Sequence, residues 1–244
     1  MCKDKVAVVT GAAGRGMGRS IALKLAREGA RVVVNYRASE ESALAIVAHI
    51  EGRGGDAIAI QADVFEADGC KRLVDETLAR FGQVDICVIG PGGGWHPEPL
   101  DRLNPSAAQE DVCHELSPLY HLMPLVLPGM YERGWGRLIG IAMLPPYNSP
   151  AYAYNVAKAA RAQALLLARD EAWRNGVTVN VVSPGPVPEI ESLARAIEQC
   201  DHGPAWLERA TTSPQDIAEG VAFLCSEAGR FISGCEVPYL FCRS

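Results

Sequence analysis

No basic tract interrupts this 244-residue chain, and its 29 acidic residues outnumber 23 basic ones, for a formal net charge of -6. The electrostatic footprint of a nucleic-acid binder is missing, so no polyanion partner is expected. No apolar run approaches the roughly 20 residues that cross a bilayer. The start Met1-Cys-Lys-Asp-Lys-Val6 also lacks the apolar core of a secretory signal. A cytoplasmic protein away from membranes is expected. Among eight cysteines there is no Cys-x-x-Cys spacing, and the five histidines show no ligand spacing. Neither a disulfide frame nor a metal site is expected, and the thiols read as small hydrophobes in a reducing compartment. Repeats, low-complexity segments and linkers are absent as well, so residues 1–244 read as a single domain, a length that suits one well-buried α/β core.

What is present is alternation. Strand-like runs at 5–10, 31–36, 57–62, 84–89, 137–142, 177–182 and 235–240 take turns with helical patterns at about 17–28, 39–53, 66–81, 105–133, 151–175 and 214–227. Such an order builds a parallel sheet covered on both faces, and it explains why Arg31-Val-Val-Val34 is apolar without period-two alternation.

Two motifs carry chemistry. Lys5-Val-Ala-Val-Val-Thr10 runs directly into Gly11-Ala-Ala-Gly14-Arg-Gly16-Met17-Gly18 and then a helical pattern. Strand, glycine loop and helix in that order aim backbone N–H groups and the positive end of the helix at a phosphate. Tyr154 and Lys158 lie one helical turn apart, a phenol beside an ammonium, and a fixed positive charge favours the phenolate.

With Asp63-Val64 after the third strand, Gly136–Ile141 as the fifth, Asn180-Val-Val-Ser-Pro184-Gly185 after the sixth and Ser213–Ala218 opening a late helix, these motifs resemble the short-chain dehydrogenase/reductase superfamily over almost the whole chain. The resemblance implies an α/β, single-domain Rossmann fold, doubly wound, with a seven-stranded parallel sheet and helices on both faces. It implies an oxidoreductase interconverting a carbonyl and a secondary alcohol on a small molecule. Tyr154 would be its acid/base, and Lys158 would hold the nicotinamide ribose and lower the Tyr154 pKa. Gly11, Arg15, Gly16, Met17, Gly18, Tyr36, Arg37, Asp63, Val64, Gly90, Pro91, Gly92, Pro184, Gly185 and Val187 would line the cofactor site, and residues 186–210 would form a substrate lid. Arg15 and Arg37, with no acid in Val34-Asn35-Tyr36-Arg37, favour NADP(H) over NAD(H). Apolar surface on the helices at 105–133 and 151–175 implies a homo-oligomer, tetramer or dimer.

The chain departs from the family pattern at several points. The glycine loop is one residue longer, with four residues between Gly11 and Gly16. Ala142-Met143 stands where the family places its catalytic serine, leaving Ser149 or the Tyr147 hydroxyl as substitutes. Glu115 aligns with the asparagine of the fourth helix, Glu189 with a threonine, and Gly90-Pro91-Gly92 with an Asn-Ala-Gly turn. Glu115 is thus a candidate base, and a non-redox proton-transfer enzyme using Tyr154 and Glu115 is the alternative expectation.

Overall fold

The computed structural model describes residues 1–92, 98–143, 151–203 and 211–239. Strands β1 (Val6–Val9), β2 (Arg31–Tyr36), β3 (Ala57–Gln61), β4 (Ile86–Ile89), β5 (Gly136–Ile141), β6 (Val177–Pro184) and β7 (Glu236–Tyr239) form one sheet in the order β3-β2-β1-β4-β5-β6-β7. Every neighbouring pair is parallel. Strand order reverses between β1 and β4, which opens a crevice at their carboxyl ends, the place where open sheets bind ligands.

Valine-rich strands suit this sheet because both of its faces are covered. Val32 and Val34 join one core with Ile21 and Leu25 of α1 (Met17–Arg27), Ile46 of α2 (Glu40–Gly52) and Val221 of α8 (Pro214–Cys225). Val33 points the other way. It joins Leu73 of α3 (Ala67–Phe81), Leu119 and Leu122 of α4 (Pro105–Glu132) and Leu165 of α5 (Tyr152–Leu167). No described helix is long and apolar enough to cross a membrane.

Helix α4 starts cleanly. The Asn104 side chain accepts hydrogen bonds from the Ser106 and Ala107 amides, and Pro105 occupies the first turn, where its missing donor costs nothing. Its 28 residues run about 42 Å at the usual rise, past three internal prolines, and lie along α5. The helical pattern at 151–175 divides at Ala168 into α5 and a short α6 (Arg169–Arg174). There the Ala168 amide bonds to Leu165 O, a tighter turn than the α-helical ladder. Beyond β6, α7 (Leu193–His202) packs against α1.

Candidate active site

The glycine loop sits at the carboxyl end of β1. A Cβ on Gly18 would stand 2.6 Å from Gly11 O, so only glycine lets α1 begin this close to the loop. Two buried side chains fix the loop's neighbours. Thr10 Oγ1 donates to Val88 O at 3.0 Å and accepts from the Gly90 amide at 2.9 Å. Asn35 Oδ1 accepts from the Gly11 amide at 3.1 Å, while its own amide donates to Ala62 O at 3.0 Å. Beside the loop lies a cavity of about 290 Å³ lined by Thr10, Gly11, Met17, Gly18, Pro91 and Ile141, among others. Gly16 caps α1 without any side-chain hydrogen bond, which leaves first-turn N–H groups for an external anion. These residues fit the phosphates of a dinucleotide.

Around this cavity the expected cofactor residues divide. Arg15 and Arg37 are exposed, and Arg37 Nη1 lies a loose 3.7 Å from Asp63 Oδ2. Tyr36 and Val64 belong to the cores, and the Tyr36 hydroxyl donates to Glu40 Oε1 at 3.2 Å. Ala142 is buried and its amide bonds to Val182 O, while Met143 is half-buried. Ser149 lies outside the described residues, as does Tyr147.

Helix α5 carries Tyr154, half-buried, and Lys158, 7% exposed, with the ammonium 5.3 Å from the centre of the Tyr154 ring. Glu115 reaches across from α4 and is 1% exposed. Lys158 Nζ lies 2.9 Å from Glu115 Oε1, an ion contact outside hydrogen-bond alignment. On the opposite oxygen, Arg161 Nη1 donates to Glu115 Oε2 at 2.9 Å. Arg161 also donates to Pro91 O at 2.6 Å and Ile89 O at 2.9 Å, tying the wall of the cavity to this charged cluster. A Cβ on Gly92 would meet Glu115 Oε1 at 2.1 Å, so Glu115 occupies this seat only because residue 92 has no side chain.

One expectation is corrected here. Tyr154 does not have a lowered pKa. Burial pushes it up to about 12, with Glu115 and Asp111 adding to the rise and Arg161 opposing it. Lys158 is itself pulled down, chiefly by burial, against the attraction of Glu115. Glu115, the candidate base, has almost no exposure and has both oxygens in ion pairs, one with Lys158 and one with Arg161. Arg161 was not foreseen, because an arginine on a helix ordinarily reads as a solvated side chain.

The described chain resembles known oxidoreductases along its length. The family model described as enoyl-(acyl carrier protein) reductase matches residues 11–239. The chain is 34% identical over 238 residues to the 3-oxoacyl-[acyl-carrier-protein] reductase of Staphylococcus aureus (strain N315), covering 96% of each protein. It belongs to the short-chain dehydrogenase/reductase superfamily. Another relative is the 7alpha-hydroxysteroid dehydrogenase of Escherichia coli (strain K12), 33% identical over 245 residues, covering 94% of this chain and 90% of that protein. A dehydrogenase/reductase from Sinorhizobium meliloti 1021 has a crystal structure that matches with a TM-score of 0.78 and 30% identity, over 97% of this chain and 94% of that one. Carbonyl and alcohol oxidoreduction is the general chemistry of these relatives.

As a short-chain dehydrogenase/reductase, the protein arranges its post-β6 segment in a particular way. The Gly185 amide bonds to Tyr239 O at 2.9 Å, and Val187 packs against the core on the α1 side. Glu189 is exposed, and the Ile190 amide bonds to Arg15 O at 2.9 Å. The buried Arg19 donates to Ile190 O. Helix α7 then lies along α1, with Arg27 donating to Cys200 O and Arg53 gripping Asp201 through two bonds of 2.8 and 2.7 Å. A second cavity, about 410 Å³, opens between α1, α2 and α7. It faces the amino ends of the strands, beside Arg31 and Asp56, and not the end where open sheets carry their chemistry.

Proposed function

We propose that this protein is an NADP(H)-dependent oxidoreductase that interconverts a carbonyl and a secondary alcohol on a small molecule. The observation that carries the reading is the continuous link from the glycine-loop cavity through Pro91, Arg161 and Glu115 to Lys158, one turn from Tyr154. A nicotinamide cofactor held by these residues would supply or accept the hydride. The first-turn amides of α1 and the loop backbone hold phosphate. Arg15 and Arg37 attract a 2′-phosphate, a role that the exposure of both side chains supports. Lys158 holds the ribose and steadies the phenolate. Tyr154 gives its proton to the substrate oxygen during reduction and takes it back during oxidation.

A raised Tyr154 pKa suits the reducing direction, since the phenol stays protonated at neutral pH. With alanine and methionine at positions 142 and 143, a donor other than a serine at that point polarises the carbonyl; Ser149 is the proposed group. Residues 186–210 would form the lid over the substrate, and the bonds of Ile190 and α7 anchor its described part, up to residue 203, beside α1. Cytoplasmic placement agrees with the buried, unpaired thiols of Cys70 and Cys87, each pushed up to about 12 by burial. The two-fold homo-oligomer rests on exposed apolar residues such as Tyr120 on α4 and Val156 and Leu167 on α5. Mixing the protein with NADPH and a panel of ketones tests the reading. Nicotinamide absorbance should fall with at least one ketone, and no consumption across a broad panel, with cofactor bound, would remove the redox assignment.

A further inference from the structure

Glu115 by itself would weaken the very group it touches. A carboxylate 2.9 Å from Lys158 cancels the ammonium's charge as felt at Tyr154, and the phenol would then ionise less readily. Arg161 changes that balance. It is wholly buried, meets the other Glu115 oxygen at 2.9 Å, and brings the cluster of Lys158, Glu115 and Arg161 to two positive charges against one negative. It also holds the carbonyls of Ile89 and Pro91, so the cavity wall and the charged cluster move together.

We infer that Arg161 is a positioning residue. Paired with Glu115 across α4 and α5, it returns a net positive charge beside Tyr154 and fixes both Lys158 and the Ile89-to-Gly92 wall of the cofactor cavity. The functional meaning rests on the oxidoreductase reading, whereas the pairing itself does not. Among the described residues, the charged groups that act on Tyr154 are Glu115 and Asp111 from α4 and Arg161 from α5, with Lys158 over the ring.

The test uses the full-length protein without substrate. Tyr154 ionisation is read by ultraviolet difference spectra after a rapid pH jump, each variant being compared with the same variant carrying Tyr154→Phe. Glu115→Gln should move the phenol titration down and Arg161→Met should move it up, because the two charges act on Tyr154 with opposite sign. A residue that merely fills space would not give opposite shifts. Either single variant leaves buried charge unbalanced, so the Glu115→Gln, Arg161→Met double variant is measured too. It should recover a Tm above that of both singles. Arg161→Lys keeps the charge but cannot reach Glu115, Pro91 and Ile89 together. It should hold the titration near wild type while NADPH, titrated by fluorescence, binds about tenfold more weakly, the scale of one lost charge-assisted hydrogen bond. Shifts of the same sign, no shift in either single, or a double variant no more stable than the weaker single would overturn the pairing. NADPH affinity unchanged in Arg161→Lys would overturn the link to the cavity wall. Failure of wild-type protein to bind NADPH at all would strike the oxidoreductase reading and leave the titration and Tm results standing.

Discussion

Lys158 Nζ lies 2.9 Å from Glu115 Oε1, and both side chains are withdrawn from solvent. A buried ammonium is costly to keep charged, and its partner here comes from another helix, so the contact depends on how α4 and α5 pack. The active site and the stability of that helix pair are therefore joined.

Removing the carboxylate should be expensive. Glu115→Gln leaves Lys158 and Arg161 without an anion in a buried cluster, and breaking such a pair costs about 3–5 kcal/mol. Denaturant unfolding of wild type and variant checks this. A loss under about 1 kcal/mol, the scale of an exposed pair, would mean that solvent reaches the cluster.

The Tyr154 shift has a definite signature in pH. Its folded pKa is raised from the usual 10.0 to about 12, so the stability it contributes is fully present below pH 10 and is lost as pH rises toward 12. Subtracting the Tyr154→Phe unfolding curve from wild type should show a decline confined to that window. In turnover, reduction should stay level through neutral pH as far as this group is concerned, and oxidation should climb into the alkaline range. A difference curve that stays flat across this window, or that rises below pH 10, would show that burial does not raise this phenol.

Cofactor preference tests the loop end of the site. Arg37→Asp should narrow the advantage of NADPH over NADH by roughly 1–3 kcal/mol, the scale of a charge-assisted contact. Calorimetry with both nucleotides reads it directly. The 3.7 Å contact with Asp63 is too loose and exposed to hold Arg37 back from a phosphate. Equal binding of the two nucleotides by wild type would show that neither Arg15 nor Arg37 meets a 2′-phosphate.

Exposed apolar side chains on the α4 and α5 surface set a fourth expectation. Tyr120 is 61% and Leu167 81% exposed in the single chain, and both should be covered in a two-fold assembly. Sedimentation should find a dimer or tetramer at micromolar protein, and Leu167→Glu should shift the distribution toward monomer. A wild-type monomer under those conditions would contradict the assembly.

Much of the fold was legible because its elements carry strong local patterns. The valine run at 31–36 becomes β2 with those bounds, and the helical pattern at 105–133 becomes α4. The division at Ala168 was not legible, since alanine is a good helix former and nothing nearby signals a stop. Asn35 drew notice only as a missing acid, whereas its buried amide organises the glycine loop through Gly11 and Ala62. Tyr154 and Lys158 stood out through their spacing. Arg161, three residues further on, did not, because its partners Glu115, Ile89 and Pro91 are distant in sequence and meet it only through packing. The direction of the Tyr154 pKa was missed for the same reason, since desolvation outweighs the nearby cations and is invisible before the fold is known.

The central claim is that Tyr154 moves the proton while the loop holds the cofactor. The most direct measurement takes Tyr154→Phe with NADPH and a ketone reduced by wild type, and reads both turnover and NADPH affinity. Turnover should be abolished and affinity left nearly unchanged, because only the proton donor has been removed. Retention of most turnover would contradict the assignment of Tyr154 as acid and, with it, the mechanism built on this helix.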